Sequence, residues 1–82
     1  MKQYYFTYGT EGMDYVGGWT VVHAPDLNTA CNLFMAVHPS GENGCIKCAG
    51  IYKEEHFENT TMFREGNFGK SCVERIEVTR YE

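Results

Sequence analysis

The loop EGNFGKSC, from Glu65 to Cys72, is the stretch that most resembles a motif for binding a ligand. A phosphate-binding loop of the Walker type has four residues between its first glycine and its Gly-Lys-Ser. It follows a strand and leads into a helix. Here Gly66 and Gly69 are only three positions apart, and a strand-like pattern follows them. We therefore exclude the Walker motif and interpret the loop as a glycine-assisted turn in which Asn67 tolerates a positive φ.

A smaller anion site in the same loop remains an open alternative. Consecutive backbone N–H groups can form a concave nest for an anion, and nearby cations strengthen it. Lys70 and Arg64 are the cations that the loop itself supplies. The loop is thus either a plain turn or a turn that also holds a small anion.

The pair Cys45-Ile-Lys-Cys48 has the spacing of half a zinc site. A closed zinc site needs four ligands, and Cys72 is the candidate third. No second matching pair follows, and residues three apart on a strand point to opposite faces. We expect small, reduced core cysteines and no metal or cofactor, with a zinc-stabilised adaptor as an alternative. The fourth ligand of that alternative would be one of Cys31, His23, His38 and His56.

No local signature pairs a cysteine or histidine as nucleophile and base. His23 lies in strand phase with apolar residues, as a packed histidine would, and His38 lies at the end of a predicted helix, where a cation is favourable. We therefore expect that the protein is not an enzyme. The acidic residues of one short segment read as a solvated helical face: Glu54, Glu55 and Glu58.

Aromatic residues make up 15% of the chain, which is many for a small core. One helix cannot cover both faces of a sheet, so some aromatic surface should be exposed or covered by a partner. Phe68 stands between residues that let the backbone approach a partner closely, and a rigid aromatic anchor dominates many interfaces. Tyr5, Tyr15, Trp19, Tyr52 and Phe68 are the aromatic candidates. We assign partner or ligand binding to Trp19, Tyr52, Arg64, Asn67, Phe68 and Lys70.

The elements that position these residues follow from hydrophobic periodicity. Strand-like alternation over Lys2–Gly9 and Gly18–Ala24 predicts a long hairpin. The period then becomes helical over Asp26–His38, with Asp26 as the N-cap and Pro39 ending the helix. This helix should bury its apolar stripe of Leu27, Ala30, Cys31 and Phe34.

The second half of the chain predicts two further strands. Cys45–Tyr52 is almost wholly apolar, which favours a central strand. Lys53–Asn59 reads as a short helical turn anchored by Phe57, and residues 60–71 read as irregular. Cys72–Tyr81 is the last strand, whose charges point to solvent or to a sheet edge, with Glu74 as the mismatch on its apolar face.

Together these elements predict a single α+β domain over residues 1–82. Its mostly antiparallel sheet of about four strands, in the order β-β-α-β-β, packs against one main helix with a short extra helical turn. No apolar run long enough for a signal peptide or membrane span is visible, so we expect the cytoplasm of the host cell and reduced cysteines. The net charge of −4 disfavours general nucleic-acid binding and suits docking onto a basic protein groove.

The segments YYFTYGT, GGWTVV, NLFMAVHP, CAGIYKEEHF and EGNFGKSC together resemble a family of small proteins. This family is encoded by phages and mobile elements of Gram-positive gut bacteria, and the similarity runs over nearly the whole chain. The resemblance implies an accessory gene of the kind that counters bacterial defence, such as an anti-CRISPR protein. Our first hypothesis is a non-enzymatic inhibitor that binds a host defence protein, with a homodimer possible. The alternative is an oligomeric sponge that holds a cyclic-nucleotide signal between aromatic residues and the Gly66–Lys70 loop, with Arg64, Lys70, Lys47 and Lys53 as its cations.

Overall fold

The computed structural model describes residues 1–9, 16–39 and 48–77, which form a small α+β fold. A four-stranded mixed sheet has the strand order β3-β1-β2-β4. The strands are β1 (Lys2–Thr7), β2 (Trp19–Ala24), β3 (Gly50–Lys53) and β4 (Cys72–Glu77). The helices in the described ranges are α1 (Leu27–Val37), α2 (Glu54–Phe57) and α3 (Thr61–Glu65), of which α1 is the main one. The predicted fold class is confirmed.

The hairpin of β1 and β2 is confirmed, and it forms the centre of the sheet. The two strands pair antiparallel from Lys2 opposite Ala24 to Thr7 opposite Trp19. Strand β3 pairs antiparallel with β1, whereas β4 pairs parallel with β2. Two of the three pairings are therefore antiparallel, and the parallel one makes the sheet mixed.

The expectation that the third strand is central is wrong, because β3 lies at the edge of the sheet. It begins at Gly50, while Cys45, Ile46 and Lys47 lie outside the described residues. Its residues alternate between half-buried and exposed, whereas Tyr4 to Thr7 of β1 are all buried. Burial on both faces is the property of a central strand, and β1 and β2 have it. Of the two alternatives for the charges of the last strand, solvent or a sheet edge, the structure shows an edge position for Cys72–Glu77.

Helix α1 begins and ends where its capping residues predict. Asp26 Oδ1 accepts a hydrogen bond from the Thr29 backbone N–H at 2.8 Å, and the helix stops at His38, before Pro39. Ala30 and Phe34 are fully buried, as expected, but Leu27 is 41% exposed and its predicted burial is wrong. Leu27 is the first residue of the helix, and it borders a cavity, described below, rather than packed side chains.

The opposite face of the sheet is covered by the short helices α2 and α3. The prediction of irregular structure after Asn59 is wrong, because Thr60 Oγ1 caps a helical turn by accepting from the Phe63 N–H at 3.3 Å. Phe57 is fully buried, as predicted, and its ring stacks on Tyr5 at a centroid distance of 4.5 Å. A second core thus forms on this face from Tyr5, Trp19, Val21 and Phe57.

This second core covers much of the aromatic surface that the sequence predicted to be exposed or covered by a partner, whereas Phe63 and Phe68 stay 38% and 65% exposed, so the prediction is confirmed in part. Trp19 meets Phe57 edge to face at 4.9 Å and stacks with Phe63 at 6.0 Å. Most of the surplus aromatic rings therefore pack against one another inside the protein. Tyr15 lies outside the described residues. Within the described ranges, no helix combines the length and apolar character that crossing a membrane requires.

Candidate binding surface around Phe68

The tip of the Glu65–Cys72 loop is a tight turn with two residues between Asn67 and Lys70. The Asn67 N–H donates to the Lys70 carbonyl oxygen at 2.7 Å, and the Lys70 N–H donates back to the Asn67 oxygen at 3.1 Å. The two central residues, Phe68 and Gly69, have φ values of 53° and 77°. Positive φ at both central positions defines a type I′ turn. Phe68, rather than Asn67 as expected, is therefore the non-glycine residue with left-handed backbone.

The side chain of Asn67 fastens this turn to the sheet. Its Nδ2 donates to the Tyr8 carbonyl oxygen at 2.7 Å and to the Gly18 carbonyl oxygen at 2.9 Å, and the residue is buried. The Gly18 N–H donates in return to the Asn67 carbonyl oxygen at 2.9 Å. Buried polar groups that pair in this way are costly to remove. Asn67 therefore holds the turn in place and does not form an exposed contact surface.

The Gly17–Gly18 pair lets the turn approach the sheet this closely. Both glycines have positive φ, 73° and 74°. A Cβ on Gly17 would lie 2.6 Å from the Asn67 oxygen and 2.8 Å from Phe68 Cβ. A Cβ on Gly18 would lie 2.6 Å from the Ser71 oxygen. Since neither position has room for a side chain, the turn packs directly against the backbone of Gly17 and Gly18.

The ring of Phe68 projects from this rigid support into solvent. Its residue is 65% exposed, as much as the first residue of the chain. Two other large apolar side chains near the glycine pair are also exposed, Val16 beside Gly17 and Val73, whose Cγ1 lies near Gly18. Phe68, Val16 and Val73 are called the Phe68 surface below. The sequence reasoning missed the two valines, although the Gly-Gly pair ahead of a strand was a visible signal of close backbone approach.

The structure brings together only part of the set that the sequence assigned to binding. Phe68 and Lys70 share the turn and are exposed, and Arg64 is exposed in the last turn of α3. Trp19 is buried under Phe57, and the half-buried Tyr52 lies on edge strand β3, with its ring 5.4 Å from the same Phe57. Trp19 and Tyr52 are therefore parts of the second core, not neighbours of Phe68 on one surface.

The geometry offers little support for phosphate or nucleotide binding at the loop. Helix α3 precedes the turn and strand β4 follows it, which is the reverse of a Walker arrangement. The N–H groups of Asn67 and Lys70 already donate to carbonyl oxygens within the turn. Lys53 lies opposite Tyr4, at the other end of the sheet from Lys70, and Lys47 is outside the described residues. Lys53 and Lys70, two of the cations of the proposed nucleotide pocket, therefore do not converge.

A buried chain of polar groups links helix α1 to the edge strand β4. Glu74 Oε1 accepts from Thr20 Oγ1 at 3.0 Å and pairs with His38 Nε2 at 2.6 Å. Tyr8 OH bonds to the same Thr20 oxygen, and it is the donor there because the single Thr20 hydrogen is directed to Glu74. Thr20 is fully buried, so a substrate cannot reach it. The mismatch noted at Glu74 is thus explained by structural pairing with His38, a residue 36 positions away.

The described cysteines are not grouped with other metal ligands, and burial raises the pKa of the Cys31 and Cys48 thiols. Among residues 1–9, 16–39 and 48–77, no group of three His, Cys, Asp or Glu side chains is placed to hold a metal ion. Cys45, one of the proposed ligands, lies outside those ranges. Burial, together with the nearby Cys31, raises the pKa of the Cys48 thiol to about 11, and Cys72 is exposed on β4. A thiol with a raised pKa stays protonated near neutral pH and is a poor nucleophile.

Comparison of the chain with protein-family models, with curated proteins and with solved structures finds no match.

Proposed function

We propose that this protein acts without catalysis, by docking the Phe68 surface onto another protein, and that this partner is a component of a bacterial defence system. The observation that supports the docking is the exposed ring of Phe68, whose backbone has the left-handed conformation within a tight turn. The nature of the partner rests on the resemblance of the chain to small anti-defence proteins of phages. The proposal therefore has two parts that separate experiments can test.

The first argument for docking is the strain at Phe68. Left-handed backbone costs a residue with a side chain roughly 1–2 kcal/mol, and a type I′ turn ordinarily places Asn or Gly at this position. A turn that served only to connect α3 to β4 would have no use for a phenyl ring there. Strained residues of this kind concentrate at functional sites, where the structure around them enforces the conformation. Here the enforcing groups are Asn67 and the Gly17–Gly18 pair.

The second argument is that the ring is presented in a fixed position. Asn67 and the two glycines hold the backbone on either side, so Phe68 has only its own side-chain torsions to lose on binding. A pre-ordered aromatic residue contributes more to affinity because less entropy is lost when it is buried. Large aromatic residues in well-packed pockets are also the residues that dominate protein interfaces. The partner should therefore offer an apolar pocket that accepts one aromatic ring.

The decisive variant is Phe68→Asn, which keeps the type I′ turn and removes the ring. Because Asn is favoured at this position, we expect unfolding to require about 1 kcal/mol more free energy than in the wild type. We expect the same variant to lose binding by roughly 2 kcal/mol or more, as for a central anchor residue. Phe68→Tyr, which keeps an aromatic ring in the same conformation, should keep most of the binding.

The assay is phage plating on bacteria that carry a panel of defence systems, with and without the protein expressed. The wild type and Phe68→Tyr should restore plating against one system, and Phe68→Asn should not, although it is present at equal or higher levels. Lys70→Ala should have little effect, whereas capture of a nucleotide signal through the loop cations would make it severe. Full activity of Phe68→Asn would show that the ring is not the anchor. Failure of the wild type against every system tested would contradict the defence partner.

A further inference from the structure

A cavity of about 470 Å³ lies at the other end of the sheet from the Phe68 surface. It is formed where β1 begins, where α1 begins and where β3 passes into α2. This volume is within the range of small-molecule sites. Its lining consists of Lys2, Gln3, Tyr4, Leu27, Lys53, Glu54 and Glu55.

The cavity has cations on the strand side and carboxylates on the helix side. Tyr4 lies directly opposite Lys53 in the β1–β3 pairing, and Lys2 has the same parity as Tyr4. Cross-strand partners share a face of the sheet, so the two lysines lie on the same side as Tyr4. Glu54 and Glu55 form the first turn of α2, immediately after Lys53. Opposite charges thus line neighbouring parts of one cavity.

An apolar wall completes the site. Leu27 belongs to the stripe of α1 that faces the core, yet it is 41% exposed because it borders the cavity. Tyr4 is buried and forms the other wall. An exposed leucine beside a buried tyrosine ring offers contact for an aliphatic or aromatic side chain.

From these features we propose that the cavity binds a short zwitterionic peptide with an apolar side chain. Its carboxylate lies against Lys2 and Lys53, its ammonium against Glu54 and Glu55, and its side chain against Leu27 and Tyr4. A simple anion would meet two carboxylates and a simple cation two ammonium groups, whereas a molecule that carries both charges pairs with each set. Charge-assisted hydrogen bonds of this kind are roughly twice as strong as neutral ones.

The test is titration of the isotope-labelled full chain with alanylleucine, followed by amide chemical shifts. We expect saturable shifts at Lys2–Tyr4, Leu27 and Lys53–Glu55, with the Asn67–Lys70 turn unchanged. Two matched probes remove one charge each: the N-acetylated dipeptide lacks the ammonium, and the C-terminal amide lacks the carboxylate. Each should bind at least about tenfold more weakly, as the loss of one charge-assisted contact predicts.

Two variants test the protein side, and both change a residue whose side chain is exposed or half-buried. Lys53→Met and Glu54→Gln should each weaken alanylleucine binding about tenfold. Glu77→Gln, on the far edge strand β4, is the matched control and should leave the titration unchanged. The proposal is overturned if alanylleucine causes no saturable shifts at millimolar concentration, if either singly charged probe binds as well as the dipeptide, or if neither variant weakens binding.

Discussion

One face of the sheet packs against the eleven-residue helix α1, whereas the other is closed by α2 and α3, of four and five residues. On the first face Phe34 stacks on Phe6 at 4.4 Å, and the buried chain from Tyr8 to His38 ties the end of the helix to β4. On the second face aromatic rings around Phe57 hold two helices that are too short to persist alone. The same sheet is thus covered on one face by a single helix of three turns and on the other by two helical segments of about one turn each.

The difference between the two faces of the sheet indicates which parts of the surface are available for binding. Among the described residues, the α1 face buries Phe6, Ala30 and Phe34, and a charged cavity lies beside Leu27. The α3 end of the other face leads directly into the turn that displays Phe68. The short helices therefore serve two purposes: they cover the second core, and they position the loop that we propose as the docking surface.

The largest effect is expected from the centre of the α1 face. Phe34→Ala should lower the free energy of unfolding by about 3–5 kcal/mol, because a fully buried ring leaves a cavity. Leu27→Ala, from the same stripe of the same helix, should lower it by less than about 1 kcal/mol, since that side chain is already 41% exposed. Urea denaturation of both variants measures the difference. Equal losses would mean that Leu27 is buried in solution.

Phe57→Ala should be the next most damaging, at about 3 kcal/mol, because the ring is fully buried among Tyr5, Trp19 and Phe63. The loss should be local, since the helices it anchors are short. Hydrogen exchange should show lost protection across Glu54–Glu65 while α1 keeps its own. Uniform loss over both faces would show that the two cores unfold as one unit.

Asn67→Ala should cost about 2 kcal/mol, because it leaves the carbonyl oxygens of Tyr8 and Gly18 without the side-chain donor. Asn59→Ala is the matched control: Asn59 is exposed and its Nδ2 donates to the Glu55 oxygen at 2.7 Å. That substitution should cost less than about 0.5 kcal/mol. The comparison of thermal melting curves separates the two, and a harmless Asn67→Ala would contradict the anchoring role.

The smallest effect concerns the cap of α1 and depends on pH. The hydrogen bond from Thr29 lowers the pKa of the exposed Asp26 carboxyl below its ordinary value of 3.8. A lowered folded-state pKa contributes stability above the ordinary pKa, and this contribution is lost as the pH falls through the folded pKa. Asp26→Asn keeps the cap but does not titrate. In melts between neutral pH and pH 2, the variant should therefore lose less stability than the wild type below pH 3.8.

Local chemistry made several elements predictable from sequence. Asp26 and Pro39 bracket α1 whatever surrounds it, because an N-cap and a proline act on their own turn of backbone. The alternation of Tyr4 and Phe6 with Tyr5 and Thr7 predicts a strand, and it pairs with the next strand-forming segment of the chain as a hairpin. Phe57 is recognisable as the inward-facing residue of its short helical segment because the residues around it, Lys53–Asn59, are polar.

The features that only the tertiary structure decided depend on residues far apart in the chain. The parallel placement of β4 beside β2 brings Glu74 to His38, 36 positions earlier, so the charged residue in an apolar stripe has its partner on another element. The second face became a core because α2 and α3 fold back over it, which the composition of either helix does not reveal. Phe68 takes an exposed position with left-handed backbone because Asn67 bonds to Tyr8 and Gly18, 59 and 49 residues away. Local propensity alone would have placed Asn, and not Phe, in the left-handed position.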